Sequence, residues 1–589
     1  MKDYVIGVDF GSDSVRAIVV DARNGENIGA GVCEYPRWMA GKYSDASNLI
    51  FRQHPQDYLD AFVSSVRGAL EDAGPEAANQ VRALAIDTTG STPAPVNEQG
   101  VPLALLPEFQ DNRDAMFYMW KDHSAIEEAK RINEVLANEG DQDYTRFQGT
   151  YSAEWYWAKI LHAKRTAPEI CAAAASWVEH SDWLPAMLTG QTDPRSMFRN
   201  ACAAGHKALW HSDFGGLPDP KVLGRIDPYL QQIAQSYGAA PQNAGSVVGR
   251  LTPEWAQRLG LSEDTIVGGG SFDAHAGAVG AGIRPRVLVK VIGTSTVDMM
   301  IESRSVLRGK DVKDICGQAE NSIIPGYVGV ESGQAAFGDM LSWFRRSMIW
   351  PVHDFLQTQT GLTDEEKAEM EHRYYKALIR RVEQVAAQEE PDGDLVALDW
   401  FNGRRYPMIN ESVKSVFSGL SLSTTPPQIY AAMAMAAVFG SKRILDTLVT
   451  RGLQIDSIIT VGGIPKKSPY IMQMMADVLN RPIKVSRAEQ CCATGAAIYA
   501  AVAAGIYPDI LEASEHMSEG FERSFEPIAE NNKRYENMYR TYLNLARHGE
   551  NISLECAEIR KNSKNVDKFS KKRYNYYPKE LKRVDLFES

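Results

Sequence analysis

Three kinds of group can do chemistry together when a fold converges them: N–H and hydroxyl donors on a tight turn, a carboxylate that can hold a cation, and a second carboxylate free to act as a base. The sequence offers candidates for all three beside glycine turns. Asp9 stands at the end of an apolar run, ahead of the turn Gly11-Ser12-Asp13-Ser14 and a second apolar run over residues 15–20. Residues 288–301 repeat that grammar, with Gly293-Thr294-Ser295 between two apolar runs. Turns of this composition present N–H and hydroxyl donors to phosphate, but they also join strands in proteins that bind nothing there. The repetition, and Asp9 beside the first turn, favour the phosphate reading. Asp273 follows the glycine triplet Gly268-Gly269-Gly270 within twenty residues of the second turn. It is placed either to accept a hydroxyl proton during attack on a γ-phosphoryl group or simply to form a turn.

These groups need a scaffold, and the pattern predicts an α/β one. Tyr58, Phe62, Val66 and Leu70 fall four apart on one helical face. Residues 81–86 form a short strand opening into the polar loop Asp87-Thr88-Thr89-Gly90-Ser91-Thr92-Pro93-Ala94-Pro95 at its C-terminal edge, where α/β sheets gather ligands. Trp155, Tyr156 and Trp157 are core residues or a platform for a sugar face. Residues 364–394 read as solvated helix and linker. Thr425-Pro426-Pro427 opens a long Ala/Met-rich helix. Strand-to-glycine transitions recur at Glu331-Ser332-Gly333 and Val461-Gly462-Gly463, and strands alternate with helices in both halves.

Composition narrows the partners. The chain has 589 residues, room for two or more domains, and a formal net charge of −12, which disfavours nucleic acid. Residues 560–589 carry ten Lys or Arg against four Asp or Glu, more in keeping with a solvated tail than a binding arm. Seven cysteines, with no CxxC pair and no ligand spacing to histidine, fit reduced thiols in a cytoplasmic protein. The apolar run at 429–439 is too short to span a membrane, and the strand expected from Tyr4 leaves no room for a signal peptide. No P-loop, HExxH or EF-hand motif is present.

Four turns in order, Asp9-Phe10-Gly11-Ser12-Asp13-Ser14, Gly268-Gly269-Gly270-Ser271-Phe272-Asp273, Ile292-Gly293-Thr294-Ser295 and Val461-Gly462-Gly463, resemble the FGGY carbohydrate kinases of the actin-like ATPase superfamily. Thr89 to Pro95, Trp120-Lys121-Asp122-His123, Ala204-Gly205-His206-Lys207 and Asp399-Trp400-Phe401-Asn402-Gly403-Arg404-Arg405 narrow the likeness to members acting on a ketopentose. The resemblance covers about residues 3 to 545. It implies two ribonuclease-H-like domains with mixed sheets flanked by helices, an N-terminal sugar-binding domain at 1–285 and a C-terminal nucleotide-binding domain at 286–545. ATP would lie in the cleft between them, and a basic tail would occupy 546–589. Asp273 would be the general base. Ala94 would meet the sugar through its backbone, Lys207 and Glu331 through their side chains. Gly11, Ser12, Ser14, Gly293, Thr294 and Ser295 would surround the phosphates, Asp9 would serve Mg²⁺, and Gly462 and Gly463 would lie near adenosine. Two positions depart from the wider family: Ser468 stands where many relatives have asparagine, and His123 where arginine is common. The implied partner is a small-molecule sugar, with no nucleic acid or membrane and with room for a homodimer.

Overall fold

The computed structural model describes residues 3–138, 142–238, 240–310, 317–391, 393–405, 409–410 and 412–562, with backbone alone for 557–562. The basic segment 563–589 and Cys316 therefore lie outside the described residues. The chain divides into two compact units. The first comprises residues 1–289, 299–331 and 486–521; the second comprises 290–298, 332–485 and 522–589.

The first unit is organised on a sheet of β1 (Tyr4–Phe10), β2 (Ser14–Asp21), β3 (Glu26–Glu34), β4 (Val81–Thr88), β5 (Val247–Arg250), β6 (Ile266–Gly268) and β7 (Ser271–Phe272). The order is β5-β6-β4-β1-β2-β3, with β7 also on β4. β1 and β2 form the antiparallel hairpin read from the sequence, with Asp9 opposite Arg16. β4 runs parallel to β1, with Asp87 opposite Asp9, and β7 runs parallel to β4, with Ser271 opposite Asp87. Both faces of β1 are buried, as a central strand in a mixed sheet requires. One face is covered by α1 (Pro55–Ala73), whose Tyr58, Phe62, Val66 and Leu70 enter the core on the predicted face.

Three further helices matter to the site: α2 (Ala201–Ala208), α3 (Asp273–Gly280) and α4 (Cys491–Ala503). α3 and α4 pack at backbone distance because they meet through small residues. A methyl added at Gly495 would stand 1.8 Å from the Ala276 carbonyl oxygen, a separation no side chain tolerates. The strands Gly317–Glu320 and Val328–Ser332 pair antiparallel, with Gly317 opposite Glu331.

The second sheet has seven strands in the order Gly317–Glu320, Val328–Ser332, β9 (Thr296–Glu302), β8 (Val287–Ile292), β10 (Ser457–Val461), β11 (Ile483–Ser486) and β12 (Phe521–Phe525). β10 and β11 are parallel, Ile459 facing Lys484. The long helix appears as Pro426–Thr450, closed at its start by a Thr425–Gln428 capping box. The charged stretch forms the helix Asp364–Ala386, which differs from a wholly solvated one: Tyr375, Leu378, Ile379 and Val382 are buried along one side. No described helix is long and apolar enough to cross a membrane.

Candidate active site

Strand register brings three carboxyl groups to one edge of the first unit. Parallel strands place equivalent ends side by side, so Asp9 at the end of β1 lies beside Asp87 near the end of β4. β7 then delivers Asp273 as the first residue of α3, two positions beyond the partner of Asp87. Asp87 is fully buried, and neither of its oxygens meets a hydrogen-bond donor from elsewhere in the described structure. Burial and the neighbouring Asp9 push its carboxyl far above the carboxylate range. Burial also raises Asp9, against the pull of Arg16, whose guanidinium stands 3.3 Å away and half exposed.

Asp273 is raised to about 7, by burial first and then by the charge of Asp9. The Ala274 amide donates to its Oδ1 at 2.7 Å and opposes that shift only in part. A carboxylate poised near neutrality is a base of useful strength at working pH. Three carboxyl groups brought to one edge, with only the half-exposed Arg16 pairing Asp9, are hard oxygen donors that fit a divalent metal of the Mg²⁺ kind.

Lys207 and Glu331 meet in the same unit, with Nζ 3.5 Å from Oε1. Lys207 rides on α2, which Asn200 caps by accepting from Cys202 N at 2.7 Å while its own amide donates to the Gly270 carbonyl at 2.6 Å. That pair of bonds ties α2 to the glycine run that leads into Asp273. Tyr151 donates to the Lys207 carbonyl at 2.6 Å, and the ammonium lies 5.4 Å from the Trp155 ring and 5.8 Å from that of Phe272. Lys207 is buried, where an unassigned lysine would ordinarily lie at the surface. The second oxygen of Glu331 stands 3.3 Å from His275 Nε2. Burial holds His275 down at about 4 and His206 at about 3, so both stay neutral behind the Lys207–Glu331 pair. Cys202, His206 and His275 bring one ligand-type atom each within 4.8 Å of the others, and the Lys207 ammonium beside them opposes a cation there.

Ala94 lies in the strand Pro93–Val96, paired with Val178 of Ser176–Glu179, and is buried. Trp157 donates its indole N–H to the Ala208 carbonyl at 2.9 Å and is wholly buried, a packing residue; Trp155 beside Lys207 keeps the second role open to it. In the first turn, Gly11 N donates to the Ser14 carbonyl at 3.0 Å, while Ser12 Oγ accepts from the Trp120 indole at 2.9 Å. His123 pairs with Glu154 at 2.9 Å.

The second unit holds the other turn. The Gly293 and Thr294 carbonyls are consumed by the amides of Phe337, Gly338 and Asp339, at 2.8 to 3.1 Å, which fixes the loop from behind and leaves residues 293 and 294 exposed. Gly462 has φ +117°, and a side chain there would also strike the Ile292 carbonyl at 2.3 Å, whereas the space over Gly463 is open. Ser468 caps the helix Pro469–Leu479 and donates to Glu383 at 2.9 Å, so its hydroxyl is already engaged.

The sequence reading missed Asp87. It quoted the residue as the start of a loop, yet a carboxylate ending a strand parallel to β1 was the available signal. It joined Lys207 to Glu331 only through the family resemblance, since the two are far apart in sequence and meet through packing.

Residues 4–280 match the N-terminal domain of the FGGY family of carbohydrate kinases, and residues 288–504 match its C-terminal domain. A ribulokinase of Vibrio parahaemolyticus is 42% identical over 557 residues, covering 94% of this chain and 97% of that protein. A ribulokinase of Geobacillus thermodenitrificans is 35% identical, covering 92% and 94%. Among solved structures, a xylulose kinase from Rhodospirillum rubrum superposes with a TM-score of 0.73 at 20% identity, covering 93% of this chain and 99% of that one. A gluconate kinase from Lactobacillus acidophilus gives 0.72 at 16%, covering 93% and 98%. These two structures establish the likeness of fold.

Proposed function

The chain belongs to the FGGY family of carbohydrate kinases, and we propose that it transfers the γ-phosphoryl group of ATP to the 5-hydroxyl of L-ribulose. The substrate reading is supported by near full-length likeness to proteins named ribulokinase. One observation carries the chemistry: Asp273, held near neutrality by burial and Asp9, shares a unit with the Lys207–Glu331 pair.

In this reading Lys207 and Glu331 bind sugar hydroxyls through side chains and Ala94 through its backbone. Replacing their mutual ion pair by bonds to substrate keeps both charges compensated. Asp273 takes the proton of the 5-hydroxyl as that oxygen attacks phosphorus and the β–γ bridging bond of ATP breaks. Gly11, Ser12 and Ser14 of one turn, and Gly293, Thr294 and Ser295 of the other, bind phosphate oxygens; Gly462 and Gly463 border adenosine. Asp9, with Asp87 beside it, would hold Mg²⁺, which when bound neutralises charge developing on the phosphoryl oxygens.

ADP release measured across a panel of pentoses, ketopentoses and pentitols tests this. L-Ribulose should give the highest kcat/KM. A tenfold preference for another ketopentose or a pentitol would move the enzyme to a sister activity. ATP turnover indifferent to every sugar but stimulated by a protein client would replace the kinase by an ATP-driven binding protein.

A further inference from the structure

A buried lysine costs several kcal/mol unless its ammonium is fully bonded, so a chain that keeps one generally uses it. Lys159, in the helix Tyr156–Thr166, is wholly enclosed. Its Nζ donates to the Ser91 carbonyl at 2.6 Å and the Met119 carbonyl at 2.9 Å, with the Tyr118 carbonyl at 3.4 Å. Three N–H bonds face three carbonyls from two segments distant in sequence.

Both segments belong to stretches that carry the sugar-kinase likeness. Ser91 lies three residues before Ala94, and Met119 immediately precedes Trp120-Lys121-Asp122-His123. The second segment is anchored independently. The Asp122 carboxylate pairs with buried Arg52 and accepts from Phe51 N at 2.6 Å, and the Trp120 indole reaches Ser12 at 2.9 Å. The first segment is held by Glu179, whose carboxylate accepts the Thr92 amide at 2.7 Å and the Ser91 hydroxyl, by the His180 amide, which donates to the Thr92 carbonyl at 3.1 Å, and from Pro93 onward by strand pairing with Ser176–Glu179; the Ser91 carbonyl is left to Lys159. Glu179 stands opposite Pro93 in the paired strands. The ammonium thus joins the two segments at the Ser91 and Met119 carbonyls, and Glu179 fixes the residue that follows Ser91.

We propose that Lys159 is a positioning residue for the sugar: with Glu179 it sets the Ser91–Thr92 backbone and so the placement of the Ala94 main chain. The assignment rests on the sugar reading of Ala94 given above. Burial brings the ammonium down to about 8, against the charges of Asp122, Glu179 and Glu154 and with that of Arg52. Burial brings Glu179 up to about 7, with Asp182 adding to the rise and Ser91, Thr92 and Lys159 opposing it.

The test is steady-state kinetics of the full-length enzyme, with whichever sugar the wild type turns over best, so that failure of the L-ribulose assignment shows in the wild type alone. Lys159→Met keeps the stem and removes the charge. Sugar KM should rise about tenfold, while ATP KM stays within twofold, because the Trp120–Ser12 side retains its own anchor. A sugar KM within threefold of wild type in a folded variant overturns the proposal, as does an ATP KM that rises as far as the sugar KM. Should Lys159→Met not fold, Glu179→Gln is read by the same criteria. The wild type supplies a further readout: its sugar KM should rise above about pH 8 as the ammonium loses its proton, and a flat profile from pH 7 to 9.5 counts against the role.

Discussion

The two glycine hairpins share a plan and differ in what surrounds them. Two residues before its turn the first carries Asp9; the second carries Val291 at that place. Beside the first turn stand Asp87 and Asp273, acids whose carboxyls burial and mutual repulsion raise. Near the second, the buried ions have partners: Lys290 Nζ bonds both oxygens of Asp298, at 2.6 and 2.8 Å, and Asp399, though raised by burial, accepts hydrogen bonds on both oxygens. Around that pair a closed network forms. Gln334 donates to Asp399 at 3.0 Å and to the Ala437 carbonyl at 2.8 Å, accepts from Ser441 at 2.7 Å, and Tyr542 donates to Asp399 at 2.7 Å. One hairpin therefore keeps its electrostatics unfinished, as a site that must accept a proton or a cation requires, whereas the other is finished and serves as a frame.

The sharpest way to break this contrast is Asp273→Asn. If the unfinished side does the chemistry, kcat should fall by about 10³, within the range of general-base removal, with sugar KM changed little. Single-turnover phosphorylation measures it, and near-normal turnover would remove Asp273 from the mechanism. Asp9→Asn comes next. A loss of about 10² in kcat/KM is expected from removing a charge of this kind, with a higher concentration of divalent cation needed for half-maximal rate. An unchanged cation requirement would take the metal role from Asp9.

On the finished side the expected damage is to stability. Lys290→Met leaves the Asp298 carboxylate buried without its partner, a change that typically costs about 3–5 kcal/mol. Thermal melting should show a large drop for that variant and substantial recovery in Lys290→Met/Asp298→Leu, whose apolar pair restores the balance. Failure of the double variant to recover would mean that the pair does more than frame the turn.

How far this contrast was readable beforehand follows from the range of the forces involved. The hairpins, the helix Pro55–Ala73 and the capped helix Pro426–Thr450 are local matters of period, turn chemistry and capping, and the sequence carries them openly. Asp9 and Asp273 were visible because glycine turns flag them. Asp87 was not, because its meaning comes from strand register across the sheet. The burial of Lys207 beside Glu331, and of Lys290 beside Asp298, likewise depends on packing that brings separate elements together. The return of residues 299–331 and 486–521 to the first unit lies beyond any local pattern, since only three-dimensional contact groups them.

The pH profile tests the unfinished side more gently. Asp273 acts only as the carboxylate, so with a raised value of about 7 the rate should climb tenfold per unit up to roughly pH 7 and flatten above it. An acid limb centred near the ordinary carboxylate value of about 4 would mean that the bound state has relieved the strain before chemistry begins.

The smallest effect has the most specific sign. A carboxyl raised in the folded state holds its proton more tightly there than in the unfolded chain. Asp273 therefore subtracts stability progressively as pH rises from the unfolded value of 3.8 through about 7, and subtracts nothing below both. Asp273→Asn should melt above the wild type at pH 8, and the gap should close as the pH is lowered towards 4. The same substitution would then cut turnover about 10³-fold while stabilising the fold, an opposition no residue of the finished network should display: Asp298→Asn, which strands Lys290, should lower the melting temperature. If Asp273→Asn instead destabilises at pH 8, the carboxylate is compensated by the apo protein, and the first hairpin is as finished as the second.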